Sequence, residues 1–406
     1  MKVLFISPHY PEEMQGFTRG LAEVGAQVYA VGDVPEAQLP GHVRKYISGY
    51  LRVDTLFDEA AALAQILPFA ARLQPDRVEC LWEPCVLLAA ALRERLDVPG
   101  MSRDRVLGFR DKTLMKTRLI EAGIRVPHFA KIRTAPEAFA AAESIGYPVV
   151  IKPIAGAGSA DTFRVDSQAA MEGVLRQIGH LEEANLEEYI DGEEYTYDTV
   201  TIRGNPAFES VTQYYPKPME ARHQEWVSPA QLTLRDPFAH PEVHAGIELG
   251  RRVLTALGME TGFTHMEWFR KASGEVVFGE IAARAPGGKL VDQMNFANDL
   301  DIFREWARAV CWHSFEATPH RRYYCAAVFK RAIGRGRVNA IRGLDALRRR
   351  CGRGLVALEL TPVGQPRRDW RNTLIGDGFA IIRHPDHHEA LRLMGQAISD
   401  LRLYAG

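Results

Sequence analysis

Residues 264–288 read THMEWFRKASGEVVFGEIAARAPGG, and the fold turns on how this stretch pairs with itself. Two runs with strand alternation, THMEWF and EVVFGEI, flank a short polar break. Ser273-Gly274 is a two-residue hairpin signal, and a turn there sets Glu267 opposite Glu280 on one face of the ribbon. Side chains alternate along a strand, so His265 shares the Glu267 face, and Ala282 and Arg284 share that of Glu280. Two carboxylates held opposite each other repel unless a cation lies between them. Mg²⁺, with Mn²⁺ as a substitute, is the natural candidate, because it takes one or two carboxylates and keeps phosphate oxygens as co-ligands. The rival is a solvated hairpin with chance acids. Phe278 and the apolar flanks argue instead for a partly buried face.

Upstream, residues 146–165 read GYPVVIKPIAGAGSADTFRV. An apolar strand ends at Lys152, and Gly156, Gly158 and Ser159 follow in a small-residue loop. Lysine is a compact cation for phosphate oxygens, and glycines let backbone N–H groups approach them. The lysine precedes the glycines, so this is not a Walker A loop. A buried strand ending in an ordinary turn is the alternative. Residues 186–198, LEEYIDGEEYTYD, read as an extended strand with outward carboxylates at Glu187 and Glu194. These suit nucleotide amine and hydroxyl groups, and backbone groups at Glu188 and Ile190 can imitate base pairing with adenine. Without company, the same stretch is a charged strand face.

The rest of the chain supplies the frame. Its 406 residues are 46% hydrophobic and 25% charged, as in a multi-domain globular enzyme. A net charge of −1 gives no general attraction to nucleic acid or an anionic membrane. MKVLFISPHYP is too short and too rich in proline for a signal peptide, no stretch approaches a bilayer span, and five scattered cysteines suggest no disulfide framework. A cytoplasmic protein is expected. KVLFI, a helix over Glu13–Val24, AQVYAVG and VECLW before the helix VLLAAALRERL read as a parallel α/β layer without a G-x-G-x-x-G turn. Four parts are expected: 1–107, 108–190, 191–317, and 318–406 as a small α+β cap. Asn185–Gly204 reads as one half-exposed strand.

The three motifs, in this order, resemble the ATP-grasp superfamily of ATP-dependent carboxylate–amine ligases, across roughly Asp111 to Asn295. The resemblance implies an ATP-grasp fold, α/β and α+β, with a Rossmann-like N-terminal parallel layer and a C-terminal cap. It implies ATP as cofactor, bound by Lys112 of an Asp-Lys pair, Lys152, the hinge Glu187 to Ile190, and the ribose acid Glu194. It implies Glu267 and Glu280 as metal ligands and Arg284 as the downstream arginine. Ala282 stands where many members of the family carry a further metal-binding Asn. The E-x-A-A-R run before Gly287-Gly288 is similar to bacterial L-amino-acid (dipeptide) ligases and points away from biotin carboxylation. The implied reaction transfers the γ-phosphoryl to a carboxylate, and an amine then attacks the acyl phosphate. Arg284 and N–H groups at Gly287 and Gly288 would stabilise the oxyanion; a structural ion pair of Arg284 with Asp292 is the rival. A carboxylase making carboxyphosphate, or a non-catalytic nucleotide-binding module, are the alternative functions. Partners are small carboxylate and amine substrates, with neither nucleic acid nor membrane, and a homodimer is allowed.

Among the remaining features, Tyr214–Ser228 is rich in recognition groups, with Glu220, His223 and Trp226 as candidate substrate contacts beside His265. His384, His387 and His388 follow or flank Asp386, a helix N-cap, and read as structural. The basic run Arg335–Arg350 reads as a solvated face, and Cys311 and Cys325 as core.

Overall fold

The computed structural model describes residues 1–154, 162–179, 182–371, 373 and 375–406. The N-terminal layer is a four-stranded parallel sheet in the order Gly49–Arg52, Gln27–Gly32, Lys2–Ile6, Arg77–Cys80. After Lys2, the strand VLFI is apolar throughout because both faces are covered. Val3 and Phe5 pack into one core with Phe17 and Trp306, whereas Leu4 and Ile6 pack into another with Ile66 and Leu88. The short edge strand Gly49–Arg52 and the helix Glu59–Leu73, capped by Asp58, are additions to the sequence reading.

A second sheet of four antiparallel strands runs Phe129–Ile132, Ala184–Glu188, Val149–Pro153, Phe163–Val165. The helices Ala135–Ile145 and Gln168–Gln177 pack on it through Ala138, Ala142, Met171 and Val174. Gly156, Gly158 and Ser159 lie outside the described residues.

The largest sheet has eight antiparallel strands in the order Val276–Ala282, Gly262–Arg270, Glu193–Ile202, Asn205–Tyr215, Ala230–Thr233, Tyr324–Phe329, Gly378–His384, Leu355–Leu360. It therefore crosses the boundary expected at 317/318. The last three strands complete the large sheet, and only Ile333–Gly334, Arg402–Ala405 and Val338–Arg342 form a separate small one. The helix Lys112–Glu121, expected with the second lobe, packs Met115 and Leu119 into the large-sheet core beside Leu254 and Leu257. Among the described residues, no helix is long and apolar enough to cross a membrane.

The stretch Asn185–Gly204 is not one strand. Ala184–Glu188 belongs to the second sheet and Glu193–Ile202 to the large sheet, joined by residues 189–192. A Cβ on Gly192 would lie 2.6 Å from the carbonyl oxygen of Arg270, so the crossing needs glycine.

Candidate active site

The hairpin at 262–282 brings Glu267 opposite Glu280. It does so by a route that differs from the expected two-residue turn. Lys271 N–H bonds to Glu275 O, and Gly274, at φ 88°, donates to Lys271 O, so the loop has three residues, Ala272 to Gly274. That turn alone would shift the register by one. A bulge at Gly279 restores it, since Trp268 pairs with Phe278 while Glu267 pairs with Glu280. A Cβ on Gly279 would lie 2.8 Å from the carbonyl oxygen of Glu267, which explains the glycine.

Both carboxylates remain open, with Glu267 31% and Glu280 28% exposed, so a ligand can reach them. Lys112, first in its helix after the N-cap Asp111, places Nζ 3.3 Å from Glu280. On the other carboxylate, Tyr214 Oη donates to Glu267 at 3.4 Å and His265 Nε2 lies 3.7 Å away. His265 Nδ1 is 2.6 Å from buried Asp198, which Thr196 also bonds. Burial disfavours a charged ring, but Asp198 and Glu267 outweigh it and raise the His265 pKa to about 9. Burial pushes Glu267 up, and His265, with Lys152 and Arg284, more than offsets this and holds it below its ordinary value. His265, expected to touch substrate, is instead locked as an imidazolium between two carboxylates.

On the second sheet, Lys152 lies 2.9 Å from Glu187, which also pairs with Lys116 one helical turn after Lys112. The carboxylate of Glu187 therefore does not point outward to a nucleotide, as expected. Burial would raise its pKa, but the two lysines hold it at about 2. Burial takes Lys116 down to about 8 despite Glu187. The Glu188 side chain pairs with Arg125 at 2.9 Å, and its N–H donates to His128 O. Past the crossing, burial and the Glu267 carboxylate push Glu194 well above the usual carboxylate range, against Lys217 and Lys152. Lys217 reaches back to Tyr189 Oη at 3.2 Å and the Ile190 carbonyl at 3.5 Å.

Arg284 Nε donates to Glu83 at 2.6 Å, across 201 residues of chain, and Nη1 to the carbonyl of Ala285 at 2.9 Å. Arg110 lies 3.5 Å from Glu83 as well. Asp292, the expected rival partner, faces Lys289. Gly288, at φ 59°, shapes the approach to the helix Leu290–Asn298 and accepts from buried Gln231 at 2.6 Å.

Of the loop candidates, Glu220 sits on the short helix Pro218–His223, near enough to Glu194 to act on its charge. His223 bonds the Met219 carbonyl of its own helix, and Trp226 lies 54% exposed under Arg367. Glu83, Lys116 and Asp198 are site residues the sequence reading missed. Only Lys116 had a local signal, its i+4 spacing from Lys112.

Two carboxylates, both oxygen donors and both accessible, fit a hard divalent ion completed by phosphate oxygens. Ala282 brings no third donor, and no group of three or more His, Cys, Asp or Glu in metal-holding geometry occurs among the described residues. Two lobes closing on lysines, a crossing strand and an acidic hairpin define the class. The chain has the ATP-grasp fold, and residues 117–287 match the ATP-grasp domain.

Within that class, 220 residues are 30% identical to an L-arginine-specific L-amino acid ligase of Bacillus subtilis, covering 52% of each chain. A D-alanine–D-alanine ligase of Neisseria meningitidis is 26% identical over 162 residues, 39% of this chain and 52% of that one. The chain thus spans about half the length of the curated relatives it matches. The crystal structure of an L-amino acid ligase from Bacillus licheniformis superposes with a TM-score of 0.80 at 19% identity, covering 100% of this chain and 98% of that one.

Proposed function

We propose that the chain is an ATP-dependent ligase that joins a small carboxylate, such as an amino acid, to an amine through an acyl phosphate, releasing ADP and phosphate. The observation that carries this reading is the open, facing pair Glu267 and Glu280, with Lys112 on one carboxylate and the charges of Lys152 and Arg284 acting on the other. The similarity to an L-arginine-specific L-amino acid ligase supports amino acids as the substrate class.

Phosphoryl transfer asks a protein chiefly for positioned cations around moving negative charge. Glu187 holds Lys152 at the end of its strand, so this charge is in place before the nucleotide arrives. Lys112 and Lys152 take phosphate oxygens, with Gly156, Gly158 and Ser159, outside the described residues, as further candidates. A divalent ion on Glu267 and Glu280 would supply the remaining neutralisation of the phosphates. His265, fixed by Asp198, keeps Glu267 in place. The adenine edge is read by the Glu188 carbonyl and the Ile190 N–H, because the Glu188 N–H already serves His128. Glu194, whose pKa burial and Glu267 push well above the usual carboxylate range, faces the ribose hydroxyls as a hydrogen-bonding carboxyl. Arg284, aimed by Glu83, presents a planar cation to the substrate carboxylate and the developing oxyanion, with Gly287 and Gly288 offering N–H groups. No enzyme nucleophile is needed.

The test is ADP release over pairs of amino acids and other small carboxylates and amines, with bicarbonate and biotin as separate arms. ADP should form only when an acid and an amine are both present. ADP formed with bicarbonate alone would overturn the reading.

A further inference from the structure

A cleft of about 440 Å³ opens between the N-terminal parallel sheet and the large sheet. It is not the carboxylate site. The strands Arg77–Cys80 and Gly262–Arg270 both start at this cleft and run away from it. Glu83 lies past the far end of the first. Glu267 lies six residues beyond Thr261 in the second, about 20 Å at ~3.3 Å per residue. The wall between them is tied down, since Arg203 N–H donates to Thr261 Oγ1 at 3.0 Å and Gly204 N–H to Glu260 O at 2.7 Å.

The charges lining the cleft are only partly matched. Arg105 pairs with Glu260 at the rim. Arg203, in the left-handed region at φ 49°, has neither a side-chain hydrogen bond nor an ion pair among the described residues. Arg77 donates to the carbonyls of Val310 and Asp76, both at 2.9 Å, and its Nη2 lies 3.5 Å from His313, with no carboxylate ion pair among the described residues. Burial and the charges of Arg203 and Arg77 hold His313 below its ordinary pKa, a sign of positive potential there. Glu79 shares a strand face with Arg77, two residues on, and lines the inner wall without a side-chain hydrogen bond among the described residues. Burial raises its pKa, against Arg93 and Arg77.

We propose that this cleft binds a small zwitterion, a free α-amino acid, with its carboxylate on Arg77 and Arg203 and its ammonium on Glu79. Two cations lack an anion and one acid lacks a full counter-charge in the same cleft, and Val310, Met259 and Pro99 offer apolar surface for a side chain. Guanidinium forks suit a carboxylate, and the volume lies in the range of small-ligand sites. A polyphosphate is disfavoured, because Glu79 would face it. A ligand here sits at the far ends of two strands that lead to Glu83 and Glu267, the position of an effector rather than a reactant.

The test is calorimetric titration of the full chain with each of the twenty proteinogenic L-amino acids, without ATP. At least one should bind. Arg203→Asn keeps the left-handed turn accessible and should weaken that binding by about tenfold or more, with the KM for ATP unchanged. Glu79→Gln, a second variant, should weaken it as well, whereas Glu280→Gln should leave it intact. The methyl ester and the N-acetyl form of the best ligand should each bind about tenfold more weakly or worse. Absence of any binding, binding that survives Arg203→Asn but is lost in Glu280→Gln, or an N-acetyl form that binds equally well would each overturn the proposal. The readout is binding at a place the ligase reading does not use, so either can fail without the other.

Discussion

Glu187 and Glu194 lie seven residues apart, on opposite sides of the crossing at 189–192, and are buried alike at 3% and 7% exposure. Their pKa values are driven in opposite directions. Glu187, on the second sheet, sits between Lys116 and Lys152 and is held at about 2 against its burial. Glu194, on the large sheet, faces the field of Glu267 and is pushed well above the ordinary carboxylate range. Burial is common to both, so the sign of the neighbours decides the outcome. On the proposed reading, one lobe uses a carboxylate to anchor cations for phosphate. The other gathers carboxylates for a metal and raises the pKa of a spare one.

The strongest way to break this contrast is Glu280→Gln, which removes one of the two facing anions and the partner of Lys112. Turnover should fall by about 10³-fold or more with the fold intact. Near wild-type ADP production at limiting Mg²⁺ would mean the acidic lobe does not hold a metal. Next, Arg284→Lys and Glu83→Gln should each lower kcat by about 10²-fold with little change in the KM for ATP. Because the two residues act as one unit, the double variant should be little worse than either single one. Retained kcat with a lower melting temperature would reduce the Arg284–Glu83 pair to a tie between domains.

On the cationic side, Lys152→Met should weaken nucleotide use by about 2 kcal/mol, roughly 30-fold, the scale of a lost charge-assisted contact. Unchanged ATP kinetics would remove Lys152 from the phosphate site. Glu187→Gln leaves two lysines facing each other in the interior, so melting at pH 7 should fall. The pH dependence sharpens the point. The folded pKa of Glu187 lies below the unfolded value, so its stabilisation is complete above about pH 4.5 and drains as pH falls toward 2. Thermal melts should therefore show a steeper acid loss for the wild type than for Glu187→Gln in that window. The smallest effect is expected for Glu194→Gln, because burial and Glu267 already disfavour the charge of that carboxyl. Its melting temperature should stay within about 2 °C of wild type, since the amide removes no favoured charge. A loss as large as that of Glu187→Gln would show that Glu194 is ionised and would collapse the contrast.

Much of this site could be read from local pattern. Strand alternation placed Glu267 and Glu280 on one face, although the expected two-residue turn and the absence of a bulge were both wrong and cancelled one another. Lys152 closes an apolar strand, and Lys112 opens a helix after Asp111, as their flanking residues suggest. The direction of Glu187 was misread. Alternation tells which residues share a face, and not which face a second strand and a lysine-bearing helix will cover. His223 and Trp226 were proposed from composition alone, and their contacts in the fold are with the Met219 carbonyl and with Arg367.

By itself, the sequence determined the order of the lobes, the lysines at element ends and the facing acids of the hairpin. Each depends on residues within one or two turns or strands, where periodicity and turn chemistry act. Tertiary structure alone decided which charges meet. Glu83 reaches Arg284 across 201 residues, and Asp198 reaches His265 across 67. It also decided that strands after residue 318 complete the large sheet, since strand order follows from long-range pairing that no local pattern encodes. Acidity follows the same division. Glu187 and Glu194 are one acidic stretch in sequence, and only their neighbours in space lower the pKa of one and raise that of the other.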